Sequence, residues 1–242
     1  MIRTCDTDVV VIILSTLTSI PLAHEVWISF GVGSHHRYIA AHTITATLGP
    51  SKTPALAVFH AFTGSDTTSF CAGIGKRTAW KTSDVFPDVT DAFSLLADVP
   101  PSILESTIEV LEKYVVLLYD RTCQLAAVNE ARQHIFARRS RALENIPPTQ
   151  AALKQHILLT AYQAGHFWGK SLQKEPILPS PEHSGWHQSN CSWEPKWTTI
   201  GQAQMFILDS VVTSSLASWG DSYSVRDTLG VNCDLGIRLN IY

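Results

Sequence analysis

An unbroken apolar run near the start of the chain, Thr7 to Ser15 (TDVVVIILS), limits the choice of fold more than any other segment. The run is rich in β-branched residues and has no alternation of polar and apolar positions. That pattern is typical of a strand covered on both faces, and such strands lie at the centre of parallel sheets flanked by helices. The run therefore predicts an α/β fold in which this segment is the central strand.

Two more strands are predicted after this run, from Glu25 to Phe30 and from Arg37 to Ala40. The pattern then becomes helical from His42 to Leu48, stops at Gly49-Pro50, and resumes from Lys52 to Thr63. Glycine followed by proline is a typical helix stop. We therefore expect two helices here, divided by a turn.

The remainder of the chain is predicted to be largely helical. Apolar residues recur at helical spacing from Ser83 to Ala97 and from Ser102 to Tyr119. Further helices are predicted from Val128 to Ala142, with arginines near its end, and from Gln150 to Trp168, which Pro147-Pro148 and Thr149 open. A stretch rich in Pro, Ser, Gly and Trp follows from Glu175 to Trp197 and is expected to be irregular.

We divide the chain into three parts from these patterns. Residues 1–82 form a sheet with a helix-turn-helix, residues 83–200 form the helical region, and residues 201–242 form a divergent tail. Within the tail, a last helix is predicted from Gln202 to Ser218, and the chain from Trp219 onward is expected to be poorly ordered.

Composition narrows the possible partners and compartment. The 242 residues carry a formal net charge of −3, so any binding to nucleic acid must come from a local basic patch. Five scattered cysteines without a CxxC pair favour reduced thiols in an intracellular protein, nuclear or cytoplasmic rather than secreted. The apolar run near the start is too short to span a bilayer, so no membrane partner is expected.

Asp6 and Asp8 begin the apolar run and are the first candidate site residues. On a strand, two residues that are two positions apart point to the same side. Neighbouring carboxylates repel each other unless they are solvated or a cation bridges them. The pair therefore indicates either a solvated strand end or a divalent cation site.

A second candidate site lies between His60 and Trp80 (HAFTGSDTTSFCAGIGKRTAW). Its Gly64-Ser65-Asp66 turn exposes one carboxylate, and a glycine turn at Gly73 and Gly75 then enters a basic segment. Glycines let the backbone approach a phosphate closely, and amides at a helix start attract anions together with cationic side chains. The predicted phosphate contacts are Gly73, Gly75, Lys76 and Arg77.

An Asp beside such a turn suggests metal-assisted phosphodiester chemistry, with Asp66 in the metal site. The alternative is an ordinary helix-turn-helix in which Asp66 caps a helix. His60 is expected to be a packed helix residue rather than a catalytic base.

In this order, the paired acids, the GSD turn and the Gly73-Ile74-Gly75-Lys76-Arg77 segment resemble the catalytic half of the flap endonuclease family of PIN-like nucleases. The resemblance implies a partial PIN-like (Rossmann-like) parallel sheet followed by a helix-turn-helix. It also implies that Asp6, Asp8 and Asp66 are catalytic and bind Mg²⁺ (or Mn²⁺). DNA would be gripped through backbone phosphates at the glycine turn.

A broader resemblance covers roughly residues 2 to 200. Segments such as HAFTGSDTTSFCAGIGKRTAW and YQAGHFWG are similar to animal proteins that are associated with mobile elements and share the nuclease-like core. The chain departs from the flap endonucleases in two ways. Their further metal-binding acids lie upstream, whereas only five residues precede Asp6 here, and Thr67 replaces the aromatic residue that follows their GSD turn.

These departures lead us to expect an N-terminally truncated, nuclease-derived domain that is impaired or inactive. Two-metal catalysis needs several carboxylates that hold ions about 4 Å apart. One alternative is a non-catalytic module that binds nucleic acid or protein, using the Gly73–Arg77 turn and a basic cluster at Arg138–Arg141. The other is a decayed mobile-element product without a stable role.

Overall fold

A βαβ unit opens the chain in the computed structural model, which describes residues 1–20, 25–98, 102–139, 146–182, 184–189, 192–196, 198 and 237–239. Strand β1 (Ile2–Thr4) pairs in parallel with β2 (Trp27–Phe30), and helix α1 (Thr7–Thr16) lies between them in the sequence. Strand β3 (Arg37–Ala40) pairs antiparallel with β2, and both strands lie where the sequence predicted strands. The sheet is therefore small and mixed, in the order β1-β2-β3.

The predicted central strand is wrong, because the residues from Thr7 form α1. Asp6 is the N-cap of this helix, and its side chain accepts a hydrogen bond of 2.8 Å from the amide of Asp8. Val11, Ile13 and Leu14 are buried, and the helix packs against both the sheet and the next helix. A short helix that is buried on most sides has no polar stripe, so its sequence is difficult to distinguish from that of a buried strand.

Helix α2 (Ala41–Phe62) contains the predicted interruption. Gly49 adopts φ 76° and ψ 178° just before Pro50, which breaks the run of helical residues. The prediction of two helical segments divided at Gly49-Pro50 is therefore confirmed. The second segment is buried from Ala57 to Phe62.

The helical layers that follow are made by five further helices within the described residues. They are α3 (Lys76–Val85), α4 (Asp88–Ala97), α5 (Glu105–Tyr119), α6 (Val128–Arg139) and α7 (Gln150–Ala161). The prediction of one helix from Ser83 to Ala97 is wrong, because α3 ends at Val85 and its C-cap, Phe86, is not helical (φ −130°, ψ 74°). Pro87 explains the break, since the residue before a proline is disfavoured in the helical conformation.

The predicted helix to Trp168 changes its geometry after α7. Residues Tyr162–Phe167 form a π-helical turn, and Trp168–Lys170 form a 3₁₀ turn. The prediction of an irregular segment after Glu175 is wrong in part, because β5 (Trp186–Ser189) and β6 (Ser192–Pro195) form an antiparallel hairpin there.

Most of the predicted tail lies outside the described residues, including the helix predicted from Gln202 to Ser218. The described residues of the tail form β7 (Ile237–Leu239), which pairs antiparallel with β4 (Ser69–Cys71). A strand was not expected in the tail.

The main hydrophobic core joins α1 to all the later helices, and it includes Val11, Phe62, Leu111 and Trp168. A smaller cluster, centred on Ile28, lies between the sheet and α1. The fold is thus mixed α/β and largely helical, as predicted in outline. The PIN-like topology and the division at residue 82 stay predictions. No helix within the described part of the chain is long and apolar enough to cross a bilayer.

Candidate functional site

Asp6 and Asp8 lie where β1 ends and α1 begins. In open sheets with parallel strands, ligands bind beyond the carboxyl ends of the strands. The Asp8 carboxylate is 21% exposed, and its Oδ1 lies 2.7 Å from Nε2 of His60. A carboxylate can only accept, so the imidazole donates this hydrogen bond. The two acids are therefore held at a sheet edge that suits a ligand.

His60 connects this acidic pair to the end of α2. It lies in the last turn of that helix and is buried, as expected, with its ring centroid 5.9 Å from that of Trp168. Burial lowers the pKa of His60 and the Lys76 charge lowers it further, whereas Asp8 and Asp6 act in the opposite direction. His60 is thus a neutral donor that fixes the orientation of Asp8.

Lys76 lies at the start of α3, and its ammonium is bonded within the fold. The Nζ atom donates to the carbonyl oxygens of His60 (2.9 Å) and Gly64 (2.5 Å) and to Oγ1 of Thr63 (3.1 Å). A cation suits the carbonyl-rich C-terminal end of a helix. Burial lowers the pKa of Lys76 to about 8, and Asp8 acts in the opposite direction. The side chain thereby ties the start of α3 to the end of α2.

The GSD turn has a rigid frame and an exposed tip. Gly64 has φ +102°, and a Cβ at this position would lie 2.7 Å from Cβ of Phe70. The Oγ1 atom of Thr68 donates to the carbonyl of Ala61 (2.7 Å) and accepts from the amide of Ser65 (2.9 Å). Asp66 is exposed at the tip of this frame.

The glycine turn before α3 presents backbone and two exposed cationic residues, Lys76, whose ammonium is bonded within the fold, and Arg77. Gly73 has φ +74°, and Gly75 is the N-cap of α3 without a side chain to bond the first amides. The first amides of a helix lack partners within the helix. Arg77 is exposed beside them. The hydroxyl of Tyr119 donates to the carbonyl of Ala72 (3.3 Å), so the end of α5 supports the turn.

The structure brings some of the predicted site residues together and not others. Asp6 and Asp8 line one open cleft, and Asp66 is not among its lining residues. Within the described residues, no group of three or more His, Cys, Asp or Glu side chains is arranged to hold a metal ion. The side chains of the predicted basic cluster, Arg138, Arg139 and Arg141, lie outside the described part of the chain.

The partnership of His60 with Asp8 was not predicted. The two residues are 52 positions apart, and neither lies in a spacing that signals contact. A partly buried carboxylate favours a hydrogen-bond donor beside it, but the sequence does not say which residue supplies that donor.

Comparisons with known proteins yield no relative of this chain: no protein-family model, no curated protein and no solved structure matches it. The resemblance to flap endonucleases therefore stays a prediction.

Proposed function

We propose that this chain is a nuclease-derived domain of the flap endonuclease type. It binds DNA through backbone phosphates and directs Asp6 and Asp8 at a Mg²⁺ or Mn²⁺ ion. The observation that carries the proposal is the tie between two segments: Asp8 is bonded to His60, and Lys76 bonds the same helix end from the start of α3. The acidic pair and the glycine turn before α3 are thus both bonded to the last turn of α2.

The donor set fits a hard divalent cation. Mg²⁺ is usually bound by one or two carboxylates with water as the other ligands, and Asp6 and Asp8 supply two carboxylates beside an open cleft. A bound ion would supply Lewis-acid stabilisation of phosphate oxygens. The chain itself orients Asp8 through His60 and offers Arg77 and the first amides of α3 to a phosphate.

Cleavage is expected to be weak. Asp8 already accepts a hydrogen bond from His60 and lies near the Lys76 ammonium, so an incoming cation competes with both groups. Asp6 is also engaged, because it caps α1.

The test is Mg²⁺- and Mn²⁺-dependent cleavage of a 5′-flap DNA by the wild-type chain and by Asp8→Asn. The Asn side chain keeps the size of Asp8 but removes the charge that attracts a cation. We expect slow cleavage by the wild type and none by the variant. Wild-type cleavage that Asp8→Asn leaves unchanged would contradict the assignment of Asp8.

A non-catalytic nucleic-acid module is the second candidate, and the structural use of both acids favours it: Asp6 caps α1 and Asp8 is bonded to His60. This candidate predicts no cleavage by the wild type, and binding by Asp8→Asn that is equal to or tighter than the wild type, because a charge that repels phosphate is lost.

Both candidates predict that Arg77→Ala weakens DNA binding and lowers the magnitude of its salt slope by about 1. Lys154→Ala is the matched control, because it removes one positive charge from α7, where Lys154 pairs with Glu105 at the start of α5. The glycine turn contacts the opposite end of α5, through Tyr119. Equal effects of the two substitutions would exclude the glycine turn as the DNA-binding surface.

A further inference from the structure

An open cleft of about 330 Å³ separates α1 from the chain that follows α7. One wall is the first half of α1, with Asp6 and Asp8 at its end and Val9 and Ile12 further along. The other wall is the segment 167–178, which we call the strap. Its lining residues are Phe167, Trp168, Lys170, Ser171, Gln173, Pro176 and Leu178.

Two side-chain hydrogen bonds hold the strap, one within it and one between the residues on either side of it. Nζ of Lys170 donates to the carbonyl of Ile177 at 2.6 Å, and the hydroxyl of Tyr162 donates to the carbonyl of Pro179 at 2.8 Å. Phe167, the first residue of the strap, is the last residue of a π-helical turn, a distortion that is frequent at functional sites. The wall is therefore a bonded structure rather than a loose loop.

Phe167 is unusual among the cleft residues because it is a large aromatic side chain that is 52% exposed. Its neighbour Trp168 is buried and contacts the ring of His60, so the base of this wall is joined to the Asp8 partner. The cleft thus has an exposed aromatic ring, apolar side chains from α1, an amide on Gln173 and two carboxylates at one end.

We propose that the cleft binds one unpaired nucleotide, with its base stacked on Phe167 and its phosphate directed to the Asp6–Asp8 end. The proposal rests on the proposed function, because a phosphate next to two carboxylates requires a bridging cation. A base has two apolar faces and a polar edge, which match Phe167 and Gln173 respectively. The cleft volume lies at the small end of ligand pockets, which suits one nucleotide and not a duplex.

The experiment compares a DNA duplex that carries a single-stranded arm with a blunt duplex of the same sequence, in Mg²⁺. A 2-aminopurine base in the arm reports stacking by loss of fluorescence. The variants are Phe167→Ala, Phe167→Trp and Leu172→Ala. Leu172 is the matched control, because it is 55% exposed on the same strap and is not a lining residue.

The wild type should quench the arm and bind the armed duplex more tightly than the blunt one. Phe167→Ala should abolish quenching and weaken binding of the armed duplex about tenfold, with blunt binding unchanged. Phe167→Trp should restore both properties, and Leu172→Ala should resemble the wild type. The free 2-aminopurine nucleotide is tested separately. If it binds as tightly as the armed duplex, the cleft takes free nucleotides rather than a DNA strand.

Unchanged quenching and affinity in Phe167→Ala would overturn this inference. Sensitivity of duplex binding to Arg77→Ala would still support the proposed function in that case. If neither duplex nor arm binds at low salt, the proposed function and the cleft assignment fail together.

Discussion

His156 is a titratable side chain held entirely within the protein. It is 2% exposed, its Nδ1 accepts a hydrogen bond from the Ser69 hydroxyl (2.5 Å), and its Nε2 donates to the carbonyl of Phe62 (2.9 Å). In the neutral ring, the proton that bonds the Phe62 carbonyl is on Nε2, and Nδ1 has a lone pair that accepts from Ser69. Burial lowers the pKa of His156 to about 4, with the bond to Phe62 acting in the opposite direction.

This burial predicts a specific loss of stability in acid. The unfolded chain binds a proton at His156 near pH 6.5 and the folded chain only near pH 4, so the unfolded state carries more protons between these values. The contribution of His156 is therefore complete above pH 6.5 and declines as the pH falls toward 4. The loss is on the order of 3 kcal/mol. Urea unfolding at several pH values should show it.

The matched variants for that titration are His156→Gln and His35→Gln, since His35 is exposed at the end of a 3₁₀ turn. His156→Gln should flatten the dependence of the unfolding free energy on pH between 6.5 and 4, whereas His35→Gln should leave it unchanged. A slope that survives in His156→Gln would assign the acid sensitivity to another group.

Neither of the buried histidine contacts was predictable from the sequence. Ser69 and His156 are 87 positions apart, and Asp8 and His60 are 52 apart. Such pairings depend on how helices pack. By contrast, the exposure of Asp66 was predicted correctly, because glycine-rich turns carry their conformation in their own residues.

At the scale of elements, helix boundaries were likewise predictable where the signal is local and not where it depends on packing. The interruption of α2 was predicted because Gly49-Pro50 is a local signal, and the gap between α3 and α4 follows from Pro87, although the prediction did not use it. The assignment of α1 as a strand failed because burial from several directions removed the polar face that identifies a helix.

Gly49 offers a direct test of the interruption in α2. Its φ of 76° and ψ of 178° are essentially restricted to glycine, and a Cβ there would meet no atom within 4 Å. Gly49→Ala should therefore cost about 1–3 kcal/mol through backbone strain alone. Chemical denaturation measures the loss.

Gly169→Ala is the control for this substitution. An added Cβ at Gly169 would lie 3.5 Å from the carbonyl oxygen of Ala164, which is an ordinary contact, and φ is not in the left-handed region. Its effect should be small. If the two substitutions cost the same, the strain at Gly49 is not what sets the end of the first segment of α2.

At the scale of the whole molecule, α2 is the element that joins the other parts. It packs against α1, α4 and α7, and its buried residues belong to the core that extends to Trp168. Phe62, at the end of α2, contacts the rings of Phe93, Tyr114 and His156 and is 1% exposed. The predicted division at residue 82 can be tested through this helix.

Because one core extends across that position, we expect a single unfolding transition. Phe62→Ala should lower the free energy of unfolding by about 3–5 kcal/mol through the cavity it leaves. Far-ultraviolet circular dichroism and tryptophan fluorescence should shift together. Phe136→Ala, at a position that is 50% exposed on α6, should have little effect. Two separate transitions would instead support independent units on either side of residue 82.

The last turn of α2 carries the ring of His60, the carbonyls that Lys76 bonds, and the packing of Phe62. We expect amide protons in that turn to exchange with solvent through openings that also break the core. Asp8 lies at the start of α1 and is bonded to this turn through His60, so a ligand on Asp8 would stabilise the same core. Any ligand that binds Asp8 should therefore slow amide hydrogen exchange in core helices that it does not contact. Slower exchange in the interior would report binding even where the surface of the protein keeps its shape.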